Sequence, residues 1–304
     1  MRIIEKINRY NHCTGILIIS CLLILAPDRG LSQETKSASL QKNELISEGK
    51  DKSSHSLFGS LGYGSNMIYM GSNVSQDKPF YSGSLTYGYK NEFFASVSTS
   101  HLSAFDPFIA FSTLSLGYNH TFNKWFDISL GLSGYQVNSE LTETLFSSFL
   151  YSNLSLGFDW KILYTTVSAS GLFSESSGAY FSLRNSRYFK TNEFSGGKAW
   201  LYFDPYINML FGTLTETVTS EGTTIGVTLP SKTKKPSGGS GSLSGTTSTF
   251  FSLMEVDFGL PVGFNIGKLS IEAEPGYILP AYPESDFESP GGFTFLLNIF
   301  YRIF

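Results

Sequence analysis

The sequence predicts an all-β chain: a single antiparallel up-and-down transmembrane β-barrel, most simply of twelve strands. Three observations carry this. From Ser56 onward, segments of about 12 to 16 residues alternate apolar with small or polar residues, the period of a strand with two unlike faces. The connections between segments are alternately short and long. The residues opposite the apolar ones are mostly Ser, Thr, Gly and Asn, where a soluble sandwich would show Lys, Glu and Asp.

Composition agrees. The 304 residues include 27 Phe, 17 Tyr, 3 Trp and 30 Gly, and only 15% are charged. Strands and turns are favoured over helices, and no window sustains a 3.6-residue period.

Residues 1–33 read as an export signal: Arg2, Lys6 and Arg9 precede the apolar run from Gly15 to Ala26, which is too short to span a bilayer. Cleavage is placed near Gln33. Ile18-Ile-Ser-Cys21 loosely permits lipid attachment at Cys21, but the apolar run continues past that cysteine. Both cysteines, Cys13 and Cys21, lie in this segment, so the exported part has neither disulfides nor a cysteine metal site. Loss of the signal leaves the chain mildly acidic and without a basic patch, a poor candidate for nucleic-acid binding. Residues 34–55 are polar and aperiodic, a flexible periplasmic leader to the barrel at 56–304.

The predicted strands are 56–70, 79–90, 92–104, 108–121, 125–138, 145–159, 161–174, 178–190, 198–214, 249–264, 268–280 and 291–304. In the fifth, Phe126, Ile128, Leu130 and Leu132 oppose Asp127, Ser129, Gly131 and Ser133. In the tenth, Met254, Val256 and Phe258 oppose Glu255, Asp257 and Gly259. The last has Phe293, Phe295, Leu297, Ile299, Tyr301 and Ile303 in an unbroken apolar row, an aggregation hazard in water. An even strand count puts both barrel ends on the short-turn side. Trp125, Trp160 and Trp200 all fall at short turns, which predicts one membrane-interface belt. Residues 215–248 contain a Gly/Ser stretch and read as a mobile external loop. Read instead as a linker between two domains, this stretch would leave a small second unit with open sheet edges.

An export signal, strands joined by short turns and a last strand ending in Phe304 resemble the bacterial outer-membrane β-barrel proteins. The resemblance is architectural and covers 56–304. It implies residence in the outer membrane of a Gram-negative cell, the lipid bilayer as surroundings, and the barrel-assembly machinery as first partner, reading an assembly signal at Tyr301 and Phe304. Phe304 itself alternates out of register with Tyr301 and Ile303.

Two constellations are candidates for chemistry. Asp204, Glu255, Asp257, Glu272 and Glu274, with Arg302, form a lumen-lining acidic cluster: a cation-attracting wall or weak metal site, or an internal salt-bridge network with Arg302 and Lys198. His101 and Ser103 share a face, similar to the His-x-Ser pair of twelve-stranded outer-membrane phospholipases. Those enzymes need an amide partner on a neighbouring strand, and Asn119 lies at the far end of the fourth. Nucleotide, zinc-hydrolase and Gly-x-Ser-x-Gly motifs are missing, and no cofactor is expected. The leading functional expectation is a narrow pore or small-solute uptake channel. The alternatives are a structural or surface-binding barrel acting through 215–248 and, remotely, a lipid-modifying enzyme.

Overall fold

In a computed structural model of the chain, residues 54–69, 71–142, 144–174, 177–219, 222–227, 246–281 and 291–304 are described. The segments read from the sequence as an export signal (1–33) and a leader (34–55) lie outside these residues, residues 54 and 55 excepted. The barrel strands are β1 (His55–Gly64), β2 (Phe80–Tyr89), β3 (Phe93–Leu102), β4 (Phe111–Asn123), β5 (Phe126–Val137), β6 (Phe149–Asp159) and β7 (Tyr164–Phe173). They continue with β8 (Gly178–Ser186, then Phe189–Lys190) and β9 (Ala199–Phe203, then Tyr206–Thr219). The last are β10 (Thr246–Gly259, then Val262–Ile266), β11 (Leu269–Pro280) and β12 (Gly292–Arg302).

Each strand pairs antiparallel with the next, and β12 pairs with β1 from Phe58↔Arg302 to Gly64↔Leu296, so the twelve-strand sheet closes on itself without an open edge. The seam is extended by Ile303 N–H donating to Leu57 O at 2.8 Å and Leu57 N–H to Phe304 O at 3.1 Å.

Alternation decides which side chains face out. Leu61, Leu85, Val97, Leu114, Leu116, Leu130, Leu132, Leu154, Phe293 and Ile299 are exposed on the outer surface. That apolar exterior requires lipid, and the backbone polar groups satisfied strand to strand make the barrel able to enter it. Inside, β1 to β7 present hydroxyls and glycines. Ser60 meets Ser84 at 2.7 Å, Ser115 meets Ser133 at 2.8 Å and Ser155 meets Ser168 at 2.8 Å, each across one strand pair. Many of these inward residues, among them Ser82, Ser84, Ser96, Ser98 and Ser129, are only half-buried, so this wall borders an internal space.

The turns follow local chemistry. Lys90 and Asn91 both adopt positive φ, 51° and 59°, closing the β2–β3 hairpin in the handedness that matches strand twist. Asn123 and Asp159 side chains accept from the backbone two residues on, at 3.0 Å and 2.7 Å, making the next two turns.

Three features differ from the alternation alone. Around Met254 the β9–β10 register shifts, with Leu210 opposite Glu255 but Phe211 opposite Leu253. This bulge turns both Met254 and Glu255 inward, where strict alternation had placed Met254 outside. Second, β9 runs on to Thr219 and β10 begins at Thr246, with Gly222–Val227 laid against β9. The described parts of 215–248 are therefore paired strands, a correction to a loop reading based on composition; 228–245 lie outside the described residues. Third, β9 and β10 are each interrupted at a proline, Pro205 and Pro261, which cannot donate to the ladder.

Candidate functional site

An apolar cluster lies at the long-connection end of the barrel. Val74, Ala110, Leu141 and Phe146, from the connections, bury against Phe80, Leu102, Phe111, Val137, Phe149, Leu172, Tyr180, Leu214 and Met254 at the strand ends. Phe146 sits 5.8 Å from the Phe111 ring and 5.4 Å from Phe149, centroid to centroid. This apolar cluster, called the stopper below, lies at one mouth among the described residues.

Towards the other end, the wall made by β8 to β12 carries the acidic cluster. Asp204, Glu255, Asp257, Glu272 and Glu274 are all buried on the inward face. Three of them accept from neutral side chains. Tyr202 donates its hydroxyl to Glu272, Tyr206 donates to Glu274 at 2.6 Å, and Asn208 Nδ2 donates to Asp257 at 2.8 Å. Lys198 is exposed at the short-turn rim and so is not their internal counter-charge. The buried cation at this level is Arg184, whose guanidinium carbon lies 4.9 Å from the Tyr206 ring centroid. Among the described residues, no three His, Cys, Asp or Glu side chains converge as a metal site.

A repeated device holds the carboxylates. Tyr202 is opposite Gly263, and Gly263 is opposite Glu272. Any Cβ on Gly263 would collide with the Tyr202 ring, so the tyrosine lies flat across the glycine and reaches a carboxylate two strands away. Tyr206 crosses Gly259 to Glu274 in the same manner. A third instance on the opposite wall runs from Tyr164 across Gly157 to Asp127, with a 2.7 Å hydrogen bond. Sequence alternation identifies the acids as inward but cannot find these tyrosines, because the crossing depends on register over three strands.

Some buried polar atoms of this wall have no hydrogen-bond partner among the described residues: Asp257 Oδ1, Asn208 Oδ1 and both amide atoms of Asn265. Three of these four atoms are acceptors and one, Asn265 Nδ2, is a donor.

Of the predicted tryptophan belt, Trp125 and Trp160 lie on the outer surface, 53% and 57% exposed, within a row of stacked rings that includes Phe122, Phe126 and Phe158. Trp200 departs from it. At 4% exposed it faces inward, with Lys190 Nζ 4.0 Å from its ring centroid. Its height along the barrel matches the belt, but its even position shares the inward face with Tyr202, Asp204 and Tyr206.

His101 and Ser103 are both at the outer rim without a mutual hydrogen bond among the described residues. His101 Nδ1 donates to Phe108 O at 2.8 Å, its ring stacked between Phe108 and Tyr81, and the exposed Ser103 follows the strand end, its backbone N–H bonded to Pro79 O. Asn119 is at the opposite end of β4, its N–H bonded to Glu92 O at 2.8 Å. Tyr301 and Phe304 are exposed at the seam, and Arg302 points inward beside them.

No protein-family model and no curated protein matches the chain. Solved structures similar to it include the NanC porin, with 7% identity, TM-score 0.41, and coverage of 81% of this chain and 98% of that one. LpxR from Salmonella typhimurium is similar at 7% identity and TM-score 0.42, over 81% of this chain and 99% of that one. A BenF-like porin from Pseudomonas fluorescens Pf-5 follows at 10% identity and TM-score 0.31, over 83% and 65%. By its own closed twelve-strand antiparallel sheet and apolar exterior, the chain has the fold of the outer-membrane β-barrel proteins.

Proposed function

We propose that this barrel is a narrow, cation-preferring passage for small solutes, closed at its long-connection end by the apolar stopper. The observation that carries the reading is the wall of five buried carboxylates, three of them accepting from neutral Tyr or Asn donors, facing a half-open hydroxyl wall across one lumen. Twelve strands enclose a space between that of the side-chain-filled eight and that of the open sixteen, and small inward residues leave room for solute. Passage then depends on movement of Leu141 and Phe146, which connections supply and not strands. The exposed aromatics Tyr301 and Phe304 on the closing strand suit recognition by the barrel-assembly machinery.

Planar-bilayer recording tests it. In a salt gradient the unaltered protein is expected to give stepwise currents with a reversal potential on the cation side, moving towards zero in Asp257→Asn with Glu274→Gln. Protein that shows a heat-modifiable gel shift, and is therefore folded, yet never conducts would overturn the passage and favour a barrel that binds a partner through 215–248.

A further inference from the structure

We propose that the short-turn rim of the barrel is a binding surface for anionic phospholipid headgroups. Among the described residues each of the five short turns carries an exposed lysine, Lys90, Lys124, Lys161, Lys198 and Lys268, and Arg187 at the break inside β8 adds a further cation near this rim. The acidic groups on that rim are fewer and partly engaged. Glu92 lies 2.7 Å from His120 Nδ1, Asp159 accepts from the Lys161 backbone at 2.7 Å, and Glu193 is exposed. The opposite rim reverses the balance, with Lys78 beside Asp77, Asp106, Glu140 and Glu216 among the described residues.

The height of these cations points to lipid. Lys124 directly precedes Trp125 and Lys161 directly follows Trp160, the two outward indoles. Lys90 Nζ is 5.3 Å from the Tyr89 ring centroid, and the Arg187 guanidinium carbon is 5.4 Å from that of Phe189. Outward indoles and tyrosines settle where acyl chains give way to headgroups, so cations adjoining them lie in the plane of the phosphates. Lys268 Nζ donates to Ile303 O at 2.8 Å and Arg187 Nη1 to Ile162 O at 2.6 Å, which fixes both groups at the rim while the guanidinium keeps further donors. A soluble acidic partner would meet one arc of turns. Cations on every turn match the surrounding annulus of lipid.

The test uses tryptophan fluorescence of the purified protein in phosphatidylcholine vesicles doped with brominated phosphatidylglycerol or, in parallel, brominated phosphatidylcholine. Trp125 and Trp160 report the adjoining lipid, whereas the inward Trp200 is a constant background. At low salt, quenching is expected to give an apparent association about fivefold stronger for the brominated anionic lipid. The preference should fall towards unity as salt is raised, and fall also in the combined variant Lys90→Asn, Lys124→Gln, Lys161→Asn. Asparagine is chosen for Lys90 and Lys161 because both hold left-handed φ, 51° and 69°. Equal quenching by the two lipids at low salt overturns the proposal, and so does a preference that high salt leaves intact. The salt arm uses unaltered protein, so it decides the matter even where the variant fails to fold.

Discussion

Tyr206 reaches Glu274 only because Gly259 has no side chain. An alanine there places its Cβ inside the tyrosine ring, so Gly259→Ala is expected to expel Tyr206 and break its bond to a fully enclosed carboxylate. Loss of that bond together with local overpacking amounts to about 1–3 kcal/mol. Urea unfolding in detergent measures it. In a double-mutant cycle with Tyr206→Phe the two losses should be less than additive, since both abolish the same contact; full additivity would separate the glycine from the tyrosine. The acids themselves were legible in the sequence, because parity along a strand sets which face a residue takes. Their tyrosine partners were not, since nothing local says which glycine ends up opposite. Trp200 shows a legible feature read on the wrong axis: proximity to a turn fixes height, and parity fixes face.

At the scale of elements, alternation located nearly all of the strands, because in lipid and water the two faces of each must differ chemically. Where it slipped, the backbone had broken the period. The bulge at Met254 inserts one residue, and Pro205 and Pro261 divide β9 and β10 into segments that bend past one another. The threonine-rich ends of β9 and β10 were hidden for another reason. Their length is set by pairing with each other and with Gly222–Val227, and a largely polar run beside a Gly/Ser stretch gives no apolar stripe to count. The outer face offers its own check. Leu116 is exposed in the middle of β4, opposite Ala95 and Leu132 on the neighbouring strands. Leu116→Arg should destabilise the membrane-inserted barrel by about 2–4 kcal/mol, measured by denaturant unfolding in vesicles, while the inward Ser115→Asn should be close to neutral. A cost for the outward arginine no larger than for the inward asparagine would mean that this face does not meet hydrocarbon.

The molecule as a whole has unlike walls and unlike ends. An apolar cluster lies at one mouth; beneath it a hydroxyl and glycine wall faces an acidic one; and among the described residues the two rims differ in the sign of their exposed charges. The barrel and its polar interior were foreseeable from composition and period, but the stopper was not, since it is built from connection residues that follow no period. The seam between β1 and β12 has a further consequence. A closed ring of neighbours has no privileged starting point: residues 55 and 304 come together at one rim, and every ladder is already complete without the peptide bonds of any one turn. A circular permutant in which a short linker joins Phe304 to His55, with new ends opened between Asn123 and Phe126, should insert into vesicles and keep its heat-modifiable migration.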